Sequence, residues 1–187
     1  MLAINQYYRT APAPLVNSLL EFMSPDGSAK IKPALDALTP DGAMSDARAF
    51  AAWLDAQPSV DAKRGLGTCG YCMGGPLAVR AAAAVPARFR ALASLHGAAL
   101  VTGADDSPHK LLAATQARML FAIARNDDAR APGDKDALKA AAAAARRPAE
   151  ITVYPADHGW CTLDAPSYNA AQAERALARM VALFERL

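Results

Sequence analysis

The chain has 187 residues, a formal net charge of +2 and 53% hydrophobic residues, many of them alanine. That length suffices for one domain with a real core, which we place over residues 1–187, and no apolar run reaches the about 18–20 residues of a membrane span. Acids and bases are interspersed, with no basic block or aromatic-basic patch to suggest nucleic acid.

Met1-Leu2-Ala3-Ile4 is too short for the apolar region of a signal peptide, and no basic segment precedes it. Leu2 to Asn5 reads as the end of a short strand. Pro14 to Met23 has helical apolar spacing at Leu15, Leu19, Phe22 and Met23. Ser24 to Pro40, with three prolines, reads as a loop with room for one helical turn. Asp41 to Ala56 is an amphipathic helix with Met44, Ala47, Phe50 and Leu54 on one face. Gly65 to Tyr71 is rich in small residues and fits a buried strand. Met73 to Val85 continues as a helix that Pro86 ends. Strands follow over Arg90 to Leu95 and Arg118 to Ala124, then an alanine-rich helix over Gly133 to Arg146. Glu150 to Tyr154 is the last strand, and Ser167 to Leu187 a closing helix. This alternation predicts an α/β fold with a mostly parallel sheet flanked by helices.

The junction between the first buried strand and its helix is Gly70-Tyr71-Cys72-Met73-Gly74-Gly75. It has the form of a nucleophile elbow, with cysteine at the tip. Such a turn strains the backbone of the nucleophile, and small residues two before and two after it let neighbouring backbone pass. The sulfur is left exposed, and the N–H of Met73 lies where an oxyanion would form. The helix starting there favours thiolate over thiol. Cys72 also admits a bland reading, an inert buried thiol in a small-residue strand. Gly65-Leu66-Gly67-Thr68-Cys69-Gly70 matches the dinucleotide fingerprint, but polar residues precede it and no acid lies near Arg88 to Arg90, so a glycine-rich strand entering the elbow explains it better. The three cysteines, Cys69, Cys72 and Cys161, are too few and too odd for a disulfide framework and point to a reducing cytoplasm.

A cysteine nucleophile needs a base, and the base an orienting acid. His158 follows the last strand, where a base loop belongs in this design. His96, at a strand end, reads as a satisfied core histidine, and His109 as a loop residue. The acid should follow the strand ending at Ala124. Counting from the apolar run favours Asp127; the spacing to Pro132 favours Asp128; we prefer Asp127, and read Asp157 as a solvated loop residue. No pair of histidines, or of histidine and cysteine, has a recurring metal spacing, so no metal is expected.

At these residues the chain resembles the dienelactone hydrolase family of α/β hydrolases. The matching segments are the Gly70 to Gly75 elbow, Asn126-Asp127, and Tyr154-Pro155 followed by His158-Gly159-Trp160. Asp41-Gly42-Ala43-Met44, His96-Gly97 and Asp106-Ser107-Pro108-His109 add to them. The resemblance implies an α/β-hydrolase fold, a Cys72, Asp127 and His158 triad, an acyl-enzyme, and hydrolysis of a small ester or lactone of the carboxymethylenebutenolidase type, with no cofactor. It also implies that Arg9, in Gln6-Tyr7-Tyr8-Arg9, meets a substrate carboxylate. Two departures stand out. Thr162 occupies the place of a second carboxylate-binding arginine. Family members also carry roughly 60–70 further residues at the front, against a normal domain size. The first strands and the loop giving a second oxyanion N–H are therefore expected to be missing. On that account the competing expectation is a catalytically impaired binding protein or a redox-responsive thiol protein.

Overall fold

The computed structural model describes residues 1–187. Its centre is a four-stranded parallel sheet in the order β1-β2-β3-β4, which is also the order along the chain. The strands are β1 (Leu66–Tyr71), β2 (Phe89–Leu95), β3 (Arg118–Ala124) and β4 (Ala149–Tyr154). Alternate side chains enter opposite cores, which explains why β2 and β3 read as nearly continuous apolar runs. On one face Leu92, Met119 and Phe121 pack with Ala51, Ala78, Val79, Leu138 and Ala142. On the other, Ala93, Leu95, Leu120 and Ala122 pack with Tyr154, Trp160 and Ala176.

The first face is covered by α3 (Pro40–Asp55), α4 (Gly74–Ala84) and α7 (Asp134–Ala144). The second is covered by α8 (Ala170–Phe184), whose Phe184 ring lies so close to β1 that a Cβ on Gly67 would come within 3.0 Å of it. No helix is long and apolar enough to cross a membrane.

The front of the chain departs from expectation. Leu2 to Asn5 forms no strand, and β1 stands as an edge of the sheet. The helix foreseen over Pro14 to Met23 is only α1 (Leu19–Met23), started by the Ser18 side chain, which accepts from the N–H of Glu21. The expected loop from Ser24 to Pro40 holds a twelve-residue helix, α2 (Pro25–Asp36). Ser24 caps it by accepting from Gly27 N–H, and Pro25 stands in the first turn, where its missing N–H removes no helical bond. A short α5 (Pro108–Leu111) precedes β3, and α6 (Arg125–Arg130) follows it directly. The segment before α1 is tied to α3 through Asp46, which is 7% exposed and takes hydrogen bonds from Arg9 and Tyr8.

Candidate active site

All four strands end on the same side of the sheet, and the segments leaving those ends meet there. Cys72 follows β1, His96 follows β2, Asp127 lies in the first turn of α6 after β3, and His158 follows β4. Carboxyl ends of parallel strands are where open α/β sheets form crevices.

Cys72 has φ 51°, a left-handed backbone that costs a cysteine on the order of 1–2 kcal/mol. Four hydrogen bonds hold it. Its N–H is shared between the Leu95 carbonyl at 3.1 Å and His96 Nδ1 at 3.2 Å. Its carbonyl accepts from Gly75 N–H at 3.0 Å and Ala98 N–H at 3.1 Å. A Cβ on Gly70 would lie 1.9 Å from the Gly74 carbonyl oxygen, so that position admits nothing larger. At Gly74 a Cβ would meet nothing within 4 Å, which corrects the expectation that both flanking glycines are sterically required. The second tight approach is at Gly75, where a Cβ would sit 2.5 Å from Ser94 Oγ and 2.8 Å from Gly97 Cα.

His158 is fixed from three sides. Its N–H donates to Asn126 Oδ1 at 2.8 Å, its carbonyl accepts from Ser167 Oγ at 2.7 Å, and its Nδ1 meets Asp127 Oδ2 at 2.6 Å. A carboxylate there keeps the proton on Nδ1 and leaves Nε2 for the sulfur. The structure thus brings Asp127, and not Asp128, to the histidine. Asp128 pairs with Lys135 at 2.9 Å, and Asp157 with Arg125 at 3.1 Å.

The charges follow from this placement. The Cys72 thiol is held below its ordinary pKa, chiefly by its hydrogen bond with His158, against the opposing effect of burial; the Met73 N–H lowers it further. His158 is pushed up to about 9, first by Cys72 and, against burial, by Asp127. The two shifts run in opposite directions, toward a charged sulfur and a charged ring. The other two cysteines have no such partner, and burial alone raises Cys69 and pushes Cys161 up to about 11. No group of three or more His, Cys, Asp or Glu side chains is placed to hold a metal ion.

The remaining sequence candidates are more scattered. The N–H of Met73 donates to no backbone carbonyl and acts on the Cys72 sulfur. Arg9 spends two N–H groups on Asp46, both at 2.5 Å, with its side chain still 43% exposed. His109 is bonded to Ser107 Oγ at 2.8 Å.

His96 is not the satisfied core histidine the sequence suggested. It is 1% exposed, its Nδ1 accepts from the Cys72 N–H, and its Nε2 has no partner. Its ring stands edge-on to His158 at 4.9 Å and to Trp160 at 5.0 Å. Burial, followed by the positive His158, lowers it to about 4, so it stays neutral. The signal was its position: parallel β1 and β2 pair Tyr71 with Leu95, and so bring the next two residues side by side. Tyr7 was also passed over. Its hydroxyl donates to Met73 Sδ at 3.0 Å, a contact across 66 positions that no local pattern announces.

The family model described as "Dienelactone hydrolase family" matches residues 2–187. The chain is similar to a crystal structure from Klebsiella pneumoniae subsp. pneumoniae MGH 78578 described as a "Putative Dienelactone Hydrolase". The TM-score is 0.79 at 24% identity, over 97% of this chain and 73% of that one. A structure called m3DLH matches with TM-score 0.70 and 26% identity, over 86% and 68% of the two chains. A third, from metagenomic libraries, is described as the dienelactone hydrolase-like promiscuous phosphotriesterase P91. It matches with TM-score 0.66 and 21% identity, over 86% of this chain and 66% of that chain. No curated protein matches.

Proposed function

The chain belongs to the dienelactone hydrolase family, and from that premise we propose that it hydrolyses small carboxylic esters or lactones through Cys72, His158 and Asp127. The observation that carries this reading is the 2.6 Å contact between Asp127 and His158, facing a cysteine strained to φ 51°.

In the proposed mechanism the Cys72 thiolate attacks the carbonyl carbon. The Met73 N–H donates to the developing oxyanion, a contact of the kind worth about 3–4 kcal/mol in the transition state. Imidazolium His158 gives its Nε2 proton to the leaving alkoxide, and a thioester remains on Cys72. Neutral His158, held by Asp127, then takes a proton from water as it attacks the thioester; the acid leaves, and the Cys72 thiolate is restored beside imidazolium His158. Arg9 serves the substrate side: an arginine has five N–H donors, and Asp46 takes two of them. A reducing cytoplasm, which keeps all three cysteines free, is the compartment this chemistry fits.

The test is turnover of a panel of lactones, aryl esters and one aryl phosphotriester by wild type and Cys72→Ala. The expected result is ester or lactone hydrolysis that Cys72→Ala abolishes. Hydrolysis unaffected by Cys72→Ala refutes the assignment.

A further inference from the structure

The elbow offers the oxyanion one donor, the Met73 N–H, since the Cys72 N–H is already shared between Leu95 and His96. An oxyanion has room for a second donor, and a tyrosine hydroxyl can be one. We propose that the Tyr7 hydroxyl is that donor, which makes Tyr7 a catalytic residue of the acyl-transfer reaction. This rests on Cys72 being the nucleophile.

Three observations carry the proposal. The first is place. The Tyr7 hydroxyl reaches the very residue whose N–H faces the sulfur, donating to Met73 Sδ at 3.0 Å. A thioether is a weak acceptor, so a negatively charged oxygen arriving beside Met73 N–H would take this proton from it readily.

The second is rigidity. A donor helps only if it is already aimed when charge develops, and the turn bearing Tyr7 is braced at every step. Tyr7 N–H donates to Asn5 Oδ1 at 3.0 Å, and Asn5 Nδ2 to the Ala11 carbonyl at 3.2 Å. The Tyr7 carbonyl accepts from Thr10 N–H at 2.8 Å and Ala11 N–H at 3.1 Å. The two following side chains then grip buried Asp46: Tyr8 by its hydroxyl at 3.0 Å, Arg9 by both terminal nitrogens. Burying a carboxylate is costly unless it is paired. Here the pairing clamps the flanks of Tyr7 to α3.

The third is protonation. Tyr7 is half-buried, and burial raises its pKa above the ordinary phenol value against a hydrogen bond with the Gln6 side chain, with a smaller push from the negative charge of Cys72. It stays a donor throughout the working range, and it lies within the field of the sulfur.

The experiment compares wild type and Tyr7→Phe in two reactions of the same thiol. Acylation by p-nitrophenyl acetate builds an oxyanion. Alkylation by iodoacetamide displaces iodide at a saturated carbon and builds none. Tyr7→Phe is expected to slow acylation on the order of 10²-fold, with KM changed less than about twofold, and to leave the alkylation rate within about twofold. Unchanged alkylation also shows that the variant keeps its elbow folded. Acylation within about twofold of wild type overturns the proposal. So does a parallel fall in both reactions, which would place Tyr7 in support of the thiolate. A wild-type Cys72 that alkylates no faster than a free thiol refutes the nucleophile itself, a separate failure visible before any variant is made.

Discussion

The glycines of the elbow allow a sharp test, because the structure ranks them. In Gly70→Ala the new methyl would sit 1.9 Å from the Gly74 carbonyl oxygen, 2.2 Å from its carbon and 2.8 Å from Gly75 nitrogen. All three are backbone atoms in the first turn of α4, so no side-chain rotation relieves the clash. Reaching even a 3.0 Å contact requires the turn to move by about 1 Å. Overpacking of that kind costs about 3 kcal/mol, and a 1 Å displacement of a reacting group can cost about 10²-fold in rate. Gly75→Ala meets one movable atom, Ser94 Oγ at 2.5 Å, and one fixed atom, Gly97 Cα at 2.8 Å. It should lose about 1–2 kcal/mol. Gly74→Ala meets nothing, and alanine in a helix is worth up to about 1 kcal/mol over glycine. Thermal denaturation and the rate of Cys72 alkylation read the two effects. The order Gly70, Gly75, Gly74 from worst to harmless is expected in both. A Gly74→Ala variant as damaged as Gly70→Ala would refute the steric account.

The proposed ion pair of Cys72 and His158 predicts a pH profile. Cys72 alkylation should reach a plateau below the pH at which an ordinary thiol ionises, with a second rise as His158 loses its proton near about 9. His158→Ala should abolish that plateau, and a profile unchanged by it would dissolve the pair. His96 titrates near about 4 when folded and near its ordinary value when unfolded, so the unfolded chain binds the extra proton between these values. Stability relative to His96→Asn should therefore fall by about 3 kcal/mol as pH drops from about 6.5 to about 4. A difference constant across that window, by urea denaturation, would contradict a buried neutral ring. Arg9→Met should lower kcat/KM about tenfold more for a carboxylate-bearing lactone than for a neutral ester, the scale of one charge-assisted hydrogen bond. An unchanged ratio removes Arg9 from substrate recognition.

Most of the sheet was legible because buried parallel strands are short apolar runs with sharp ends, as in Phe121-Ala122-Ile123. The positions of Cys72, Asp127 and His158 followed from those ends. What escaped lies where tertiary partners override local signals. Prolines at 25 and 33 suggested a loop, yet the Ser24 cap and a proline in the first turn start a helix there. The sequence alone places Asp127 only after the strand ending at Ala124; the chain in fact turns at once into α6, whose first turn carries Asp127 to His158. Neither His96-Gly97 nor Gln6-Tyr7-Tyr8-Arg9 tells by itself what the ring of His96 or Tyr7 touches. Their importance comes from strand register and from a contact between distant segments.

The sheet order has a consequence for how the protein is made. Each strand delivers one part of the site, and the parts arrive in chain order, sulfur first and imidazole last. On the ribosome Cys72 emerges on the order of ten seconds before His158, at usual elongation rates. Until β4 docks, His158, the largest influence lowering the thiol's pKa, is absent. On the proposed reading the nascent chain thus carries a thiol still without its imidazole partner, slower to react with oxidants and electrophiles than the finished site.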